Sequence, residues 1–169
     1  YNNKDKQYEA YYLNGKRHRN NDPAVISYYE NGNKQSEHYH INDNVYNENG
    51  ATSIFYHENG DKQSEHYRLG NILHNEDFYK ITHYFRSNKK QCDIYYLNNK
   101  ISNINEPAKI YYDRDGNKKS EHYCLDGELH NENGPAKIIY DENGDIESQY
   151  YYLNNKFLEN VHSLEKLKR

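Results

Sequence analysis

Residues 132–145 read ENGPAKIIYDENGD, a short apolar run with an Asn-Gly pair on each side. Runs of about four to eight residues rich in Ile and Tyr and bounded by turn residues are typical of β-strands, because such side chains pack well on a pleated surface. Related segments recur, such as AVISYYENG from Ala24 and TSIFYHENG from Thr52. The stretch therefore predicts a strand that ends in a tight turn, and its recurrence predicts a sheet built from many copies.

The recurrence has a fixed period of 28 residues, with blocks that align without a gap from Pro23, Ala51, Tyr79, Pro107 and Pro135. Such a period is typical of repeat architectures, in which each unit packs against its neighbours. We predict one repeat domain over residues 1–160, followed by a tail or cap at 161–169. Its units are a partial repeat at 1–22 and repeats at 23–50, 51–78, 79–106, 107–134 and 135–160.

Four positions of the block hardly vary when each block is numbered from 1. Positions 6 and 17 are always Tyr, position 19 is Leu or Ile, and position 4 is Ile except for Thr82. We predict that these positions form the buried side of every repeat, because each unit must solve the same packing problem. The structural ladder is predicted to include Tyr11, Tyr28, Tyr39, Tyr56, Tyr67, Tyr84, Tyr95, Tyr112, Tyr123, Tyr140, Tyr151, Leu69, Leu97, Leu125 and Leu153.

Turn signals divide each block into antiparallel strands. Positions 9 and 10 are Asn31 and Gly32 in the first full block, and Asn-Gly pairs accept positive φ at both central residues of a type I′ turn. With that two-residue turn, positions that sum to 19 pair across the hairpin, so positions 4, 6, 17 and 19 share one face. A second turn signal at positions 20 and 21, as in Asn14 and Gly15, returns the chain.

These patterns predict an all-β fold, an elongated single-layer antiparallel meander or solenoid of tandem β-hairpins with about ten to twelve strands. The third block departs from the pattern at Asn88 and Cys92, and we predict a weak point or a contact site there. In the tail, Ser163 suits a helix N-cap, and Leu164 and Leu167 lie three residues apart. This spacing predicts a short C-terminal helix that covers the last strand edge.

Composition argues against several classes of function. The chain has 21 Tyr but only four Phe and no Trp or Met, so a thick apolar core is not expected. Its 22 basic and 26 acidic residues are interspersed, without the basic field that attracts nucleic acid. No apolar run approaches the ~20 residues of a membrane span. We predict a soluble, intracellular protein that binds neither nucleic acid nor membranes. Because it starts at Tyr1 and lacks Met, we expect a piece of a longer chain.

The histidines and cysteines have structural explanations that we favour over chemical ones. Histidines recur in two ladders, whose copies are about two strands or ~10 Å apart, too far for one metal ion. Cys92 and Cys124 are offset by one repeat and by four positions, which argues against a disulfide. We therefore predict no metal and no cofactor. The histidine ladders are His38, His66 and His122 at position 16, and His18, His74 and His130 at position 24.

Position 15 carries a carboxylate in five successive units, and the pitch of this row is close to the separation of an inverting glycosidase pair. Catalysis needs two acids in unlike environments, however, and a regular row makes their environments alike. Lys residues at position 12 predict ion pairing instead, so we predict no catalytic residue. The row comprises Glu9, Glu37, Glu65, Asp93 and Glu121.

The motif NGxLHxENGPAxIxYxENGxKxSExYxL, found here from Asp126 and Gly127 through Leu153 and in its copies, resembles the MORN-like repeat family. The similar variant occurs in amoeba-infecting giant viruses and some bacteria, and the resemblance covers nearly the whole chain. It implies a β-hairpin solenoid used for scaffolding, tethering or protein contact, without a catalytic residue. If the source is viral, it also implies a location in the host cytoplasm or the virion.

The function that we predict is that of a structural or interaction protein with one regular face and one variable face. Positions 5 and 7 vary between blocks, with aromatic residues in blocks one to three and acids at position 7 in blocks four and five. Exposed aromatic patches are usual anchors for protein contact or self-assembly. The alternative is a carbohydrate-binding module or hydrolase that uses the Tyr rows as platforms. We predict that the partner-binding residues are Tyr29, Phe55, His57, His83 and Phe85.

Overall fold

The computed structural model describes residues 7–48, 50–68, 78–103 and 105–158. These residues form strands and turns and contain no helix, so the predicted all-β class is confirmed. Leu69, His74 and the predicted C-terminal helix at Ser163, Leu164 and Leu167 lie outside the described residues. The strands are β1 (Tyr8–Ala10), β2 (Tyr12–Leu13), β3 (Lys16–Arg17), β4 (Val25–Tyr28), β5 (Lys34–His38), β6 (His40–Ile41), β7 (Asn44–Val45), β8 (Ser53–Tyr56), β9 (Lys62–Arg68), β10 (Phe78–Tyr84), β11 (Lys90–Leu97), β12 (Lys100–Ile101), β13 (Lys109–Tyr112), β14 (Lys118–His122), β15 (Cys124–Leu125), β16 (Glu128–Leu129), β17 (Lys137–Tyr140), β18 (Ile146–Leu153) and β19 (Lys156–Leu158).

The chain divides into two compact units. Of the described residues, the first unit contains 7–48, 50–68 and 81–88, and the second contains 78–80, 89–103 and 105–158. In the first unit the strands pair in the order β1-β4-β5-β8-β9, and in the second in the order β11-β13-β14-β17-β18-β19. Neighbouring strands are antiparallel. Each unit is therefore a meander of consecutive hairpins, as predicted. No stretch of the described residues forms a helix of sufficient length and hydropathy to cross a bilayer.

The first turn of the repeat differs from the predicted type I′ turn. Positions 3 to 5 pair as predicted, but Tyr28 pairs with Lys34, one residue before its predicted partner Gln35. Of the Asn-Gly pair only Gly32 has positive φ, at 86°. Its N–H donates to the Tyr29 carbonyl at 2.9 Å, and the Tyr29 N–H donates to the Asn33 carbonyl. This is a type I turn followed by a left-handed glycine, in which the extra residue forms a bulge.

The third block keeps this turn without a glycine. Asn88 takes the left-handed position with φ 59°, and its N–H donates to the Phe85 carbonyl at 2.9 Å. Its side-chain oxygen accepts a hydrogen bond from the Lys62 N–H at 3.0 Å. Asn tolerates this conformation better than most residues with a Cβ atom. The predicted weak point is therefore stabilised at its turn by local hydrogen bonds.

The second turn of the repeat is a type I′ turn. Both central residues have positive φ in each block whose second turn is described, as the preference of such turns for Asn, Asp and Gly requires. The resulting short hairpins stack on one another, because the Asp43 N–H donates to the Arg17 carbonyl at 2.9 Å. The turns are Asn14 with Gly15, Asn42 with Asp43, Asn98 with Asn99, Asp126 with Gly127, and Asn154 with Asn155.

Glycines with positive φ and glycines outside the left-handed region should differ in the cost of adding a side chain. Gly116 has φ +96°, so Gly116→Ala should lower the free energy of unfolding by about 1 kcal/mol through backbone strain. Gly116→Asn should cost less, because Asn88 fills the same position in its own block. The control is Gly134→Ala, because Gly134 lies outside the left-handed region and its added Cβ would meet Asn131 Nδ2 at 3.6 Å. Urea unfolding of the variants checks the order, and equal losses for Gly116→Ala and Gly134→Ala would contradict it.

The most buried residues are smaller than the predicted ladder. Ladder tyrosines are mostly half-buried, and Leu125 at position 19 is 48% exposed. A ring on a sheet face is covered only by neighbours on that face. At position 2, Ala108 is small and fully covered, and its N–H donates to the His122 carbonyl at 2.8 Å. The residues with no exposed surface include Ala24, Thr82, Ala108 and Ala136.

Candidate functional site

A buried carboxylate is the centre of a polar network that recurs in both units. The position 15 carboxylates from Glu37 onward are at most 6% exposed, and each accepts a hydrogen bond from the position 6 tyrosine of the next block. Asp93 is one methylene shorter than Glu, and the Tyr112 hydroxyl lies 3.2 Å from it, against 2.6 Å between Tyr56 and Glu37. The pairs are Tyr28 with Glu9, Tyr56 with Glu37, Tyr84 with Glu65, Tyr112 with Asp93, and Tyr140 with Glu121.

Glu65 shows the full set of partners. Its Oε1 accepts from Lys62 Nζ at 2.6 Å, and its Oε2 accepts from the Tyr67 hydroxyl at 2.7 Å and from Tyr84. Burial raises the pKa of Glu65, but these donors outweigh burial and hold the pKa below its ordinary value. A carboxylate in this state is a poor proton acceptor. The network can stabilise the sheet. For Glu65 to act as an acid or base, these hydrogen bonds would have to break.

The predicted lysine partners of the carboxylates are confirmed. In each pair the lysine at position 12 reaches the carboxylate three residues later on the same strand. The tyrosines that share these carboxylates stay protonated donors, because burial and the nearby Asp93 charge raise the pKa of Tyr112 to about 12. The ion pairs are Lys34 with Glu37, Lys62 with Glu65, Lys90 with Asp93, and Lys118 with Glu121.

The opposite face carries the predicted contact residue Phe55. Its neighbours across the sheet are Ser36 and Ser64, which are too small to cover a phenyl ring. The imidazoles of His38 and His66 hold the ring instead, with centroids 5.5 Å and 5.0 Å from it. Phe55 is therefore half-buried and fixed in orientation by two aromatic neighbours.

The environment of the histidines on this face favours the neutral form of the imidazole. His38 Nδ1 lies 3.0 Å from Ser53 Oγ, and its Nε2 lies 3.0 Å from Ser36 Oγ. Burial, together with neighbouring positive charge, lowers the pKa of both His38 and His66. His83, a further predicted contact residue, is one of the neighbours that lower the pKa of His66. The structure thus places Phe55 against His66, with His83 near enough to influence the charge state of His66.

The other three predicted contact residues lie where the first turns begin. Each half-buried residue at position 7 starts the turn of its own hairpin. The Tyr29 hydroxyl donates to the Tyr56 carbonyl at 2.7 Å, which links this turn to the neighbouring one. In the second unit, Asp113 at the same position accepts hydrogen bonds from the N–H groups of residues 115, 116 and 117 through one oxygen. Tyr29, His57 and Phe85 carry no carboxylate, so they do not stabilise their turns in the way that Asp113 does.

Metal and thiol chemistry find little support in the described part of the chain. No group of three or more His, Cys, Asp or Glu residues there could hold a metal ion. Cys92 and Cys124 are free and buried, and burial raises the pKa of the Cys124 thiol, which reduces its reactivity. At position 24, His18 Nδ1 lies 2.9 Å from Asn42 Oδ1 and His130 repeats the contact. Two members of the second histidine ladder, His18 and His130, therefore form side-chain hydrogen bonds.

The second unit contains a cleft that the sequence analysis missed. It has a volume of about 620 Å³, and its lining includes Leu97, Ser102, Tyr123, Cys124 and Ile138, together with the loop at 130–135. The signal was present in the repeat, because Ser102 and Cys124 are small where most other blocks carry a large side chain. Comparing equivalent positions for size, and not only for chemical type, would have found it.

Comparison with known proteins adds no family to these observations, since no family model, curated protein or solved structure matches the chain. The resemblance to MORN-like repeats therefore stays a prediction that depends on the repeated motif. What the structure supports is the architecture, a meander of hairpins with a repeated carboxylate network on one face and variable side chains on the other. The site must be interpreted from its own geometry.

Proposed function

We propose that the protein is a non-catalytic structural or interaction protein whose first unit binds a protein partner through the face around Phe55. The observation that carries the proposal is the setting of this ring. Ser36 and Ser64 leave it uncovered across the sheet, while His38 and His66 fix its orientation. A fixed aromatic ring loses little conformational entropy on binding, which is the property of an interface anchor.

The opposite face supports the same proposal. Its carboxylates and phenols already bond to one another, as Glu37 does with Lys34 and Tyr56. Groups that are buried and satisfied contribute to stability and offer little to a partner. Recognition is therefore assigned to the variable face, where the residue at position 5 changes from block to block on the same backbone.

The MORN-like motif favours a scaffold or tether as the wider role, with self-assembly as one form of it. We propose an intracellular location, in the host cytoplasm or the virion if the source is viral. The described strands and the interspersed charge are compatible with this role. The alternative, a carbohydrate-binding module or hydrolase that uses Tyr rows, is an outcome of the experiment below.

The proposal predicts that Phe55→Ala combined with Phe85→Ala weakens partner binding at least tenfold, because buried aromatic anchors dominate interface energies. The partner would be identified by mass spectrometry of proteins that co-purify with the chain, and then purified for a Kd measurement. The matched control is Tyr111→Ala in the second unit, since Tyr111 also sits at position 5, beside His122 at 5.3 Å. An unchanged Kd for the double variant would overturn the face assignment. Glycan-array binding without a protein partner would favour the alternative only if substitutions in the Tyr rows abolish it.

A further inference from the structure

Two residues that line the cleft of the second unit are smaller than those at the equivalent positions of other blocks. In the block that starts at Pro107, position 18 is Cys124, whereas the equivalent residues of other blocks include Tyr12, Tyr96 and Tyr152. Position 24 is Ser102, whereas other blocks carry His or Tyr there. Ser102 is 2% exposed and Cys124 is 5% exposed, and both line the cleft. They form the floor of the cleft, and the rings found at these positions in other blocks would fill it.

The polar part of the lining is held in place before any ligand arrives. Asn131 Nδ2 donates to the Pro135 carbonyl at 2.9 Å, and its Oδ1 accepts from the Asn133 N–H at 2.9 Å. A side-chain amide has two N–H donors and two acceptor lone pairs, so each end of Asn131 keeps capacity for a ligand. His130 Nδ1 lies 2.8 Å from Asn154 Oδ1, and its Nε2 lies 3.5 Å from Glu132 Oε1. The loop therefore presents donors and acceptors with little ordering cost on binding.

The remaining lining is apolar and carries little charge. Leu97, Tyr123 and Ile138 are half-buried there, and Leu125 is 48% exposed. Among the described residues that line the cleft, Glu132 is the only acid and there is no Lys or Arg. A site of this composition offers no counter-charge to an anion and too few carboxylates for a metal ion. It suits a neutral molecule that combines an apolar surface with several hydroxyl groups.

We propose that this cleft is a binding site for a neutral carbohydrate, of mono- or disaccharide size. Its volume is within the range of small-molecule sites, roughly 300 to 1,000 Å³. A sugar ring has a C–H face that can pack on Tyr123 or Leu97, and hydroxyl groups that can bond to Asn131 and to the Glu132 carboxylate. The proposal concerns the second unit alone and does not depend on partner binding by the first.

Binding would be measured by ¹⁵N NMR of the whole chain titrated with cellobiose, maltose and N,N′-diacetylchitobiose, each to about 20 mM, which detects Kd values in the millimolar range. At least one sugar should shift the amide signals of residues 123–125 and 130–134, with signals of the Phe55 face unchanged. Absence of binding by all three sugars, or shifts that map elsewhere, would overturn the proposal.

Variants taken from the repeat itself sharpen the test. Cys124→Tyr restores the residue of other blocks and should fill the cleft, weakening sugar binding at least tenfold. Ser102→His restores the residue of other blocks at position 24 and should also fill the cleft. It replaces Cys124→Tyr in the test if circular dichroism shows that Cys124→Tyr does not fold. Cys92→Ser is the matched control, because Cys92 is a buried cysteine of the same unit outside the cleft lining. Undiminished binding in a folded floor variant would also overturn the proposal.

Discussion

Replacing Glu65 by Ala is expected to lower the free energy of unfolding by about 3 kcal/mol, because a buried acceptor shared by three donors is lost. Most of this comes from the hydroxyls of Tyr67 and Tyr84, whose bonds to the buried Glu65 carboxylate would be lost. Lys62 is 41% exposed and can return to water, so its contribution is small. Glu65→Gln keeps an acceptor oxygen and should cost roughly half as much. Urea unfolding followed by circular dichroism measures both.

Two comparisons make this prediction specific. Glu147→Ala changes an exposed glutamate and should alter the free energy of unfolding by less than about 0.5 kcal/mol. Asp93→Ala should cost less than Glu65→Ala, since the bond from Tyr112 is longer at 3.2 Å. If Glu65→Ala and Glu147→Ala had the same effect, the carboxylate network would not stabilise the sheet.

The meander could be predicted from sequence because its information is local. The 28-residue period, the Ile and Tyr runs and the turn residues each concern neighbours along the chain, and sequential hairpins follow from them. The ion pairs between positions 12 and 15 were predictable for the same reason, as in Lys62 and Glu65. The fold class needed no knowledge of how side chains pack between blocks.

The sequence predictions are wrong or incomplete where one sequence signal suits two local structures, or where the size of a side chain determines the structure. Asn31 and Gly32 suit a type I′ turn, but they also suit the end of a type I turn followed by a left-handed glycine, and the sheet takes the second. The bond from Tyr84 to Glu65 joins residues 19 apart in neighbouring blocks, so it depends on how side chains pack between blocks. The cleft depends on the absence of bulk at Ser102 and Cys124. The contact residues around Phe55 stay a prediction, because partner choice depends on a second molecule.

Acidification should destabilise the second unit through His122. This half-buried imidazole lies beside the Tyr111 ring, and its neighbours across the sheet on both sides are Lys109 and Lys137. Burial, followed by the charges of the two lysines, lowers the pKa of His122 from 6.5 to about 4. The unfolded chain therefore binds a proton more readily than the folded one, and stability that is fully present above pH 6.5 is lost as the pH falls towards 4. With allowance for solvent screening, we expect a loss of about 1 to 2 kcal/mol.

Substitutions separate this residue from other groups that titrate in the same range. His122→Gln should reduce the dependence of the free energy of unfolding on pH between 6.5 and 4, because Gln carries no titrating proton. Lys137→Met should raise the pKa of His122, read from its imidazole NMR signal, since one of the two flanking charges is removed. The Tyr111 contact is kept in this variant, so burial and charge are tested apart. A pKa that stays near 4 would assign the shift to burial alone, whereas a pKa near 6.5 in the unaltered protein would contradict the prediction.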